Sequence, residues 1–283
     1  MRLLLSQAET LMSLSNRSPM TCLTVAGSDS SGGAGIQADL KTFGALGVYG
    51  ACVITAVTAQ NTQTVGKVHS VPPSVLDAQL RAVFSDVSVY AIKIGLLTSC
   101  HAVQVLVGHL RRFTGPVVLD PVLSASSGRT FMRRNVVGAL CRDVLPHVFL
   151  LTPNLLEAAT LLQCSVAQTE SQILEQGIAL LALGVQAVLI KGGHAAGAVC
   201  IDWLFQPGKT PLSFAAPRLA SRNVHGTGCT LASAITANLA KGMALVDAVT
   251  QAHRYVQTAL QAAQCWEIGR GQGPLHHFYE FWM

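Results

Sequence analysis

Residues 23–46 read LTVAGSDSSGGAGIQADLKTFGAL, and this stretch contains the first of the units that set the fold class. The apolar residues 23–26 predict a β-strand, residues 27–35 predict a glycine-rich loop, and residues 36–46 have helical spacing. A strand that passes through a loop into a helix is the repeating unit of α/β proteins with parallel sheets. We therefore expect the rest of the chain to repeat this unit.

The same alternation of apolar runs and helical patterns continues to the end of the chain. Strands are predicted at residues 48–57, 92–94, 116–119, 148–151 and 185–190, helices at 72–84, 102–110, 227–240 and 245–263, and an antiparallel hairpin at 203–205 and 212–214. Because strands alternate with helices, we expect right-handed crossovers and a three-layer α/β/α sandwich with a mainly parallel central sheet.

The composition indicates one large globular unit. The chain has 283 residues, of which 50% are hydrophobic and 12% charged, as expected for a parallel sheet that is buried on both faces. No linker rich in proline or serine divides it, so we predict a single domain over residues 21–283. Residues 1–20 are predicted to be a disordered or loosely attached leader, because polar residues soon interrupt its leucines. No apolar run approaches the roughly 20 residues that span a bilayer, so we expect no membrane partner.

Charge and cysteine usage narrow the function classes further. The net charge is +5, but the basic residues form no run longer than two and do not alternate with aromatic residues, so we expect no nucleic acid partner. The eight cysteines include no CxxC pair. That pattern is typical of reduced, mostly buried thiols in a cytoplasmic protein.

Polar and glycine residues gather where the predicted strands end. Asp120, Asn154 and Lys191 follow three successive predicted strands, and the loop that begins at Gly27 follows the first. In open parallel sheets, ligands bind beyond the carboxyl ends of the strands. The convergence of several strand ends on one edge therefore predicts a binding site there.

The segment HGTGCT at residues 225–230 opens a long helix of small residues. The amides that open a helix have no intrahelical acceptor, and Gly226 and Gly228 would let these amides approach an anion closely. Cys229 lies in the first turn, where a helix can lower the pKa of a thiol, so it is a candidate base for an alcohol. The alternatives are an ordinary helix start capped by Thr227 and a small buried thiol.

Asn154 and Glu157 begin another helix, after Pro153. The pair could position Mg²⁺ and its waters against nucleotide phosphates, because Mg²⁺ binds proteins through few carboxylates. The alternative is that Glu157 is only a favourable charge near the helix dipole. Lys191 could reach phosphate oxygens or could simply be solvated.

Asp39 and Gln60 are candidates for binding an amino-heterocycle. Asp39 could accept hydrogen bonds from an amino group, and Gln60 offers both a donor and an acceptor to a pyrimidine edge. The alternatives are a polar helix face and a loop amide. The Gly27 loop lacks the dinucleotide-binding spacing, and residues 208–210 lack the first glycine of a P-loop. The Gly27 loop is therefore either a substrate-covering loop or a plain connection.

Taken together, these segments resemble the hydroxymethylpyrimidine/phosphomethylpyrimidine kinases of the ribokinase-like superfamily, from about Thr21 to the C-terminus. The matching strings are AGSDSSGGAGIQADLK at 26–41, TAQNT at 58–62, KIG at 93–95, TPN at 152–154 with Glu157, KGGH at 191–194, HGTGCT at 225–230 and GPLHHF at 273–278. Leu123 stands where the resemblance leads us to expect methionine, and the residues before Met20 have no counterpart in the family.

The resemblance implies a kinase that uses ATP and Mg²⁺ on 4-amino-5-hydroxymethyl-2-methylpyrimidine and then on its monophosphate, in thiamin biosynthesis. By position it implies pyrimidine contacts from Gln60, Asp39 and Gly27, a catalytic anion hole and base from Gly226, Gly228 and Cys229, nucleotide contacts from Lys191, Asn154 and Thr227, and metal contacts from Glu157 and Asp120. It also implies a homodimer.

Two other functions stay open at this point. A pyridoxal kinase of the same fold would act on a similar ring with a similar hydroxymethyl group. A ligand-binding regulator without catalysis would have no need of the intact Gly-Thr-Gly-Cys turn. Both kinase interpretations require that the helix start at Gly226 and the side chain of Gln60 line the same cavity.

Overall fold

The structure, a computed structural model, describes residues 18–123, 131–193 and 197–282. Within these ranges the strands are β1 Thr21–Asp29, β2 Tyr49–Gln60, β3 Val65–Ser70, β4 Ala91–Ile94, β5 Val117–Leu119, β6 Leu150–Leu151, β7 Val188–Ile190, β8 Val199–Phe205 and β9 Leu212–Pro217. They form one sheet in the order β3-β2-β1-β4-β5-β6-β7-β8-β9.

The helices lie between the strands, as the sequence predicts. They are α1 Gly35–Ala45, α2 Pro73–Asp86, α3 Cys100–Leu110, α4 Arg134–Ala139, α5 Leu155–Leu162, α6 Glu170–Leu181, α7 Thr227–Ala240 and α8 Leu245–Ala262. A π-helical turn at Leu140–Val144 and a 3-10 turn at Leu145–His147 continue α4 towards β6.

The centre of the sheet is parallel. β1 pairs in parallel with β2 and β4, and parallel pairing continues through β5, β6 and β7. Antiparallel pairing is confined to the two margins, where β3 joins β2 and the hairpin β8–β9 joins β7. The parallel strands therefore direct their carboxyl ends to one edge of the sheet, where a ligand site is expected.

Two helical layers cover the two faces of the sheet. On one face, α2 to α6 bury residues such as Leu76, Leu106 and Leu161 in a common core. On the other face, α1, α7 and α8 bury residues such as Phe43 and Ile235. This arrangement confirms the predicted three-layer α/β/α sandwich with a mainly parallel sheet.

Helix α7 occupies the middle of its layer. Every residue from Thr230 to Ala240 is buried. The small side chains of the segment let α1, α8 and the sheet pack closely around the helix. Since packing holds α7 on all sides, its N-terminus has a fixed place at the edge of the sheet.

The structure differs from the sequence prediction in several elements. β1 continues to Asp29, because residues 27–29 still pair with β2, so the loop before α1 is shorter than predicted. β3, α4 and α6 were absent from the prediction. Most residues of β3 are exposed or half-buried, so no apolar run marks it, and α4 has only 6 residues.

Residues 1–17 of the predicted leader lie outside the described residues, and residues 18–20 are exposed. The boundary of the predicted single domain at residue 21 stays a prediction. In the ranges that the structure describes, no helix has the length and apolar character needed to cross a membrane.

Candidate active site

A cavity of about 610 Å³ opens at the carboxyl edge of the parallel strands, a volume typical of small-molecule sites. Every predicted site residue except Asp39 lines it: Gly27, Gln60, Asp120, Asn154, Glu157, Lys191, Gly226, Thr227, Gly228 and Cys229. The structure therefore brings the helix start at Gly226 and the side chain of Gln60 into one cavity, as both kinase interpretations require.

The start of α7 forms one wall of this cavity. Gly226 caps the helix with a φ of +85°, a left-handed conformation that favours glycine. A Cβ atom on Gly226 would also overlap the carbonyl oxygen of Gly33, so the turn packs directly on the loop after β1. A Cβ atom on Gly228 would lie 3.2 Å from Lys191 Nζ. The opening amides of the helix and a lysine amine thus face the same space, which suits an anion.

Cys229 is half-buried and lines the cavity beside these amides. Burial raises the pKa of its thiol to about 11, although the charge of Lys93 and a backbone hydrogen bond from Gly35 lower it. The prediction that the helix start lowers this pKa is wrong, because desolvation outweighs the favourable charges. At neutral pH only about one Cys229 in ten thousand is a thiolate in the unliganded protein.

Three charged side chains meet at the ends of β5, β7 and the start of α5. Lys191 Nζ lies 2.6 Å from Asp120 Oδ1 and 4.0 Å from Glu157 Oε2. Burial raises the pKa of Glu157 to about 7. The charge of Asp120 also raises this pKa, and the charge of Lys191 lowers it. Burial disfavours the charge of Lys191, but the two carboxylates outweigh burial and raise the pKa of the lysine.

This arrangement fits a magnesium ion bound mainly through a ligand and water. In the described part of the chain, no group of three or more histidine, cysteine or acidic side chains is arranged to hold a metal. Mg²⁺ needs no such group, because it binds through one or two carboxylates together with substrate phosphates. Burial and the charge of Asp120 raise the pKa of Glu157 to about 7 although Lys191 opposes them, and a further cation beside the two carboxylates would favour the ionised form.

Asn154 and Glu157 form a reciprocal cap at the start of α5. Asn154 Oδ1 accepts a hydrogen bond from the Glu157 backbone N–H at 2.8 Å, and Glu157 Oε2 accepts one from the Asn154 backbone N–H at 2.8 Å. Both residues also line the cavity. The cap fixes the direction of the Glu157 carboxylate, so the structural and functional interpretations of this pair are compatible.

Asp39 is the predicted site residue that does not reach the cavity. Its side chain is fully buried, and both carboxylate oxygens lie 2.9 Å from Lys93 Nζ. Hydroxyl groups of Thr24 and Ser233 donate to the same carboxylate at 2.6 and 2.7 Å. Burial raises the pKa of Asp39, and the charge of Lys93 opposes that rise. The predicted contact between Asp39 and a heterocycle is not supported, because its oxygens already have partners inside the protein.

Gln60 and Gly27 line the cavity from strands β2 and β1. Gln60 is the last residue of β2, and its backbone exchanges hydrogen bonds of 2.6 and 2.8 Å with the hydroxyl of Ser30. Its side-chain amide lies 3.2 Å from the ring of His225, the residue before the Gly226 turn. Gly27 belongs to β1, and a Cβ atom there would lie 3.1 Å from Leu96, so the strand presents bare backbone to the cavity.

Some residues of the cavity carry little or no local sequence signal. Lys93 lines the cavity from inside the apolar strand AIKI, and a charge in such a strand indicates a buried partner. The wall also includes Arg218, His253 and Gln257, which no local pattern singles out. Leu123, the residue that departs from the family string, is buried in the core, and Val122 lines the cavity instead.

Several known proteins are similar to this chain over most of its length. The family model described as phosphomethylpyrimidine kinase matches residues 29–276. The hydroxymethylpyrimidine/phosphomethylpyrimidine kinase of Rhizobium meliloti is 49% identical over 260 residues, which cover 92% of this chain and 97% of that protein. A thiamine biosynthesis bifunctional protein of Geobacter sulfurreducens is 43% identical over 277 residues, which cover 96% of this chain and 56% of that protein.

A solved structure extends the comparison to the fold. The ADP complex of Bacillus subtilis pyridoxal kinase matches with a TM-score of 0.85 at 31% identity, covering 92% of this chain and 98% of that one. This similarity confirms the ribokinase-like fold. The identity to the pyrimidine kinase is higher than the identity to the pyridoxal kinase, which favours the first of the two kinase interpretations.

Proposed function

The chain belongs to the phosphomethylpyrimidine kinase family, and we propose that it transfers the γ-phosphoryl group of ATP to 4-amino-5-hydroxymethyl-2-methylpyrimidine. In a second reaction at the same site, it phosphorylates the monophosphate to the diphosphate that is used for thiamin assembly. One observation carries this proposal: the start of α7 and the amide of Gln60 line a single cavity. An alcohol held beside Gln60 then faces a phosphoryl group held by the helix.

The start of α7 supplies most of the catalytic stabilisation in this proposal. The amides of Gly228 and Cys229 and the amine of Lys191 surround the place where negative charge develops on the migrating phosphoryl group. Phosphoryl transfer needs little covalent help from a protein, so positioning and fixed positive charge dominate. Thr227 binds the nucleotide phosphates from the same turn.

Cys229 takes the proton of the substrate alcohol in its thiolate form. Because the pKa of the thiol is about 11, this form is scarce at neutral pH. The charge of Lys93 stabilises the thiolate and lowers the pKa that burial raises. The buried carboxylate of Asp39 holds Lys93 in place, so Asp39 acts as a positioning residue rather than as a direct ligand of the pyrimidine.

Asp120 and Glu157 are the residues that would hold Mg²⁺, with Asn154 fixing the Glu157 carboxylate through the cap. The ion neutralises negative charge on the phosphates when it is bound. Lys191 lies between the two carboxylates and adjoins Gly228, so its amine can serve either the carboxylates or a phosphate oxygen.

We propose that the adenine ring of ATP binds against the cavity wall formed by β9, the segment after it and α8. Its lining combines apolar and amide groups from Pro217, Leu219, Val256, Gln257 and Leu260. Apolar walls with a few polar groups are typical of sites for flat rings. The ADP complex of the structurally similar pyridoxal kinase supports nucleotide use by this fold.

A direct assay of the acceptor tests the proposal. Purified full-length protein with Mg²⁺ and ATP should convert the pyrimidine alcohol first to the monophosphate and then to the diphosphate, followed by ³¹P NMR. Pyridoxal, at the same concentration, is the competing acceptor. Turnover of pyridoxal without any turnover of the pyrimidine would overturn the proposal in favour of a pyridoxal kinase.

We also propose that the protein works as a homodimer in the cytoplasm. The eight cysteines, none of which forms a disulfide among the described residues, support a reducing compartment. Sedimentation of the full chain at micromolar concentration tests the dimer, and a monomer mass would contradict it.

A further inference from the structure

His225 precedes the Gly226 turn, and the proposed reaction gives its side chain no role. The ring is buried, and Nε2 lies 2.9 Å from Asp29 Oδ2 and 3.2 Å from the Gln60 amide. The His225 backbone N–H donates to the Gly273 carbonyl at 3.0 Å, so the C-terminal segment holds the His225 backbone in place. A histidine in contact with a proposed substrate-binding amide can determine whether the N–H groups or the oxygen of that amide face a ligand.

Asp29 decides which ring nitrogen of His225 carries the proton. Its carboxylate accepts hydrogen bonds from Ser31 N and Oγ, Gly33 N and Ala34 N, at 2.8 to 3.1 Å. Burial alone would raise the pKa of Asp29, but the hydrogen bonds of His225 and Ser31 outweigh burial and lower it. The carboxylate is therefore ionised and can only accept. His225 must donate to it, so Nε2 carries the proton.

The Gln60 amide then has only one consistent orientation. With its Nε2 atom facing His225, two N–H groups would oppose each other at 3.2 Å, which is not a hydrogen bond. On the other side, the single proton of the Thr58 hydroxyl goes to the Ser28 carbonyl at 3.0 Å. Thr58 Oγ1, 3.3 Å from the second terminal atom of Gln60, can therefore accept from an amide N–H.

Both neighbours thus require the same rotation of the amide. The carboxamide oxygen and Asp29 Oδ2 share the single N–H of His225 Nε2 in a three-centre hydrogen bond, and the NH₂ group faces Thr58 Oγ1. The oxygen and nitrogen of an amide cannot be distinguished by shape, so the hydrogen-bond partners on either side decide. In this orientation, one N–H of Gln60 and one lone pair of its oxygen remain for a ligand in the cavity.

We propose that Asp29 and His225 form a relay that fixes the donor end of the Gln60 carboxamide, which makes His225 a positioning residue that determines specificity for the acceptor ring. The relay rests on the proposed function for its ligand, an aminopyrimidine. That ring presents an acceptor nitrogen beside a donor amino group, and a fixed amide matches them in one register only. A free amide would rotate and lose this discrimination.

Two glycines allow the close packing that brings His225 into contact with Asp29 and Gln60. A Cβ atom on Gly33 would overlap the His225 ring, and a Cβ atom on Gly226 would overlap the Gly33 carbonyl. The loop after β1 and the turn before α7 can approach each other only because both positions are glycine. The approach brings His225 Nε2 within hydrogen-bonding distance of both Asp29 and Gln60.

The tautomer of His225 tests the first half of the relay without any substrate. Long-range ¹⁵N–¹H correlation spectra of the labelled full-length protein report which ring nitrogen is protonated, and the signal that His225→Gln removes belongs to this residue. We expect the proton on Nε2. A proton on Nδ1 alone would overturn the relay, whatever the protein binds.

Calorimetric binding of the pyrimidine alcohol tests the second half. His225→Leu, which has no donor, should weaken binding by about ten- to a hundredfold. His225→Gln restores a donor NH₂ group that can reach both Asp29 and Gln60, and should recover most of the affinity. His109→Leu is the matched control. His109 Nε2 lies 2.8 Å from an Asp77 carboxylate oxygen, and neither residue lines the cavity. Its affinity for the pyrimidine should equal that of the wild type.

A milder variant keeps the test decisive if His225→Leu does not fold. Thr58→Val is nearly isosteric and removes both the acceptor for the amide NH₂ and the donor to the Ser28 carbonyl, so binding should weaken about three- to tenfold. Unchanged affinity in Thr58→Val, or in folded His225→Leu, would overturn the role in specificity. A wild-type protein that shows the Nε2–H tautomer and binds ATP but not the pyrimidine would contradict the proposed function and, with it, the substrate assigned to the relay.

Discussion

Two lysines at the edge of the sheet each pair with an aspartate, and the two pairs differ in what surrounds them. Lys93 and Asp39 lie 2.9 Å apart with both side chains fully inaccessible to solvent. Lys191 and Asp120 lie 2.6 Å apart, but 14% of the Lys191 side chain remains accessible. Lys93 also belongs to the cavity wall, but the first pair is enclosed and has Thr24 and Ser233 as further partners. The second pair has Glu157 as its neighbour and a lysine that ligands can reach.

The contrast shows how the same chemical pair acquires different roles. A buried pair with all its hydrogen bonds satisfied holds elements together and keeps its charges in place. A pair that borders a cavity leaves hydrogen-bonding capacity for a ligand. Asp39 therefore positions Lys93 between α1, β4 and α7, while Lys191 and Asp120 remain available for a nucleotide and its metal.

Removing the cation of the enclosed pair should produce the largest change. Lys93→Met leaves the Asp39 carboxylate buried without a countercharge, so the free energy of unfolding should fall by about 3–5 kcal/mol. Lys191→Met should cost clearly less, because Asp120 borders the cavity. Urea denaturation measures both, and equal losses would remove the distinction between the pairs. Adding Asp39→Asn to Lys93→Met should restore part of the stability.

The charge of Lys93 lowers the pKa of the Cys229 thiol, so the reactivity of Cys229 reports on the enclosed pair. Cys229→Ser should lower turnover by about 10²–10⁴-fold with little change in ATP binding, because it removes the proposed base. Since the thiol has a pKa of about 11, wild-type turnover should rise nearly tenfold for each pH unit between 6 and 9.

Steady-state kinetics across that pH range check the role of Cys229. Cys52→Ser is the matched control: its thiol is also half-buried, and burial also raises its pKa, but it does not line the cavity. The control should keep wild-type turnover and its pH dependence. A flat wild-type profile would show that the thiolate is not the base.

The open pair should affect catalysis more than stability. Lys191→Met should lower turnover by about 10²–10³-fold, because one positive charge facing the migrating phosphoryl group is lost. The comparison variant is Lys209→Met, which alters an exposed lysine in the β8–β9 turn and should leave turnover unchanged. Similar losses in both lysine variants would contradict the assignment of Lys191 to the site.

The smallest expected effect concerns Glu157, beside the open pair. The pKa of this carboxyl is about 7 in the folded protein, against an ordinary value of 4.5. The folded state therefore holds the proton more tightly than the unfolded chain, and this contribution to stability is lost as the pH rises from about 4.5 to about 7. Glu157→Gln should remove that loss, which is about 3 kcal/mol for a rise of the pKa from 4.5 to about 7.

Denaturation at pH 5 and pH 8 with EDTA present measures this difference. Glu170→Gln, which alters an exposed glutamate at the start of α6, should keep the wild-type dependence on pH. If Glu157→Gln loses as much stability between the two pH values as the wild type does, the raised pKa of Glu157 is refuted.

The layers of the fold and the place of the site follow from local patterns. The alternation of apolar runs with helical spacing predicts the sandwich, and parallel strands bring Asp120, Asn154 and Lys191 to one edge. The bounds of α7 agree with prediction at both ends, because glycines open it and small apolar residues fill it.

Contacts between distant parts of the chain lie beyond such patterns. The partner of Asp39 is Lys93, 54 residues away, so its spacing gives no sign that the carboxylate is enclosed. The relay from Asp29 to His225 joins residues 196 positions apart. The pKa of Cys229 depends on how many atoms surround the thiol, which its place in a helix does not reveal.

The most direct test of the account is a crystal structure of the full-length protein with the pyrimidine alcohol, Mg²⁺ and a non-hydrolysable ATP analogue. We expect the γ-phosphate within hydrogen-bonding distance of the amides of Gly228 and Cys229. The hydroxymethyl oxygen should lie in line with it, on a ring that contacts Gln60. A γ-phosphate bound away from the start of α7, or a pyrimidine outside this cavity, would contradict the account.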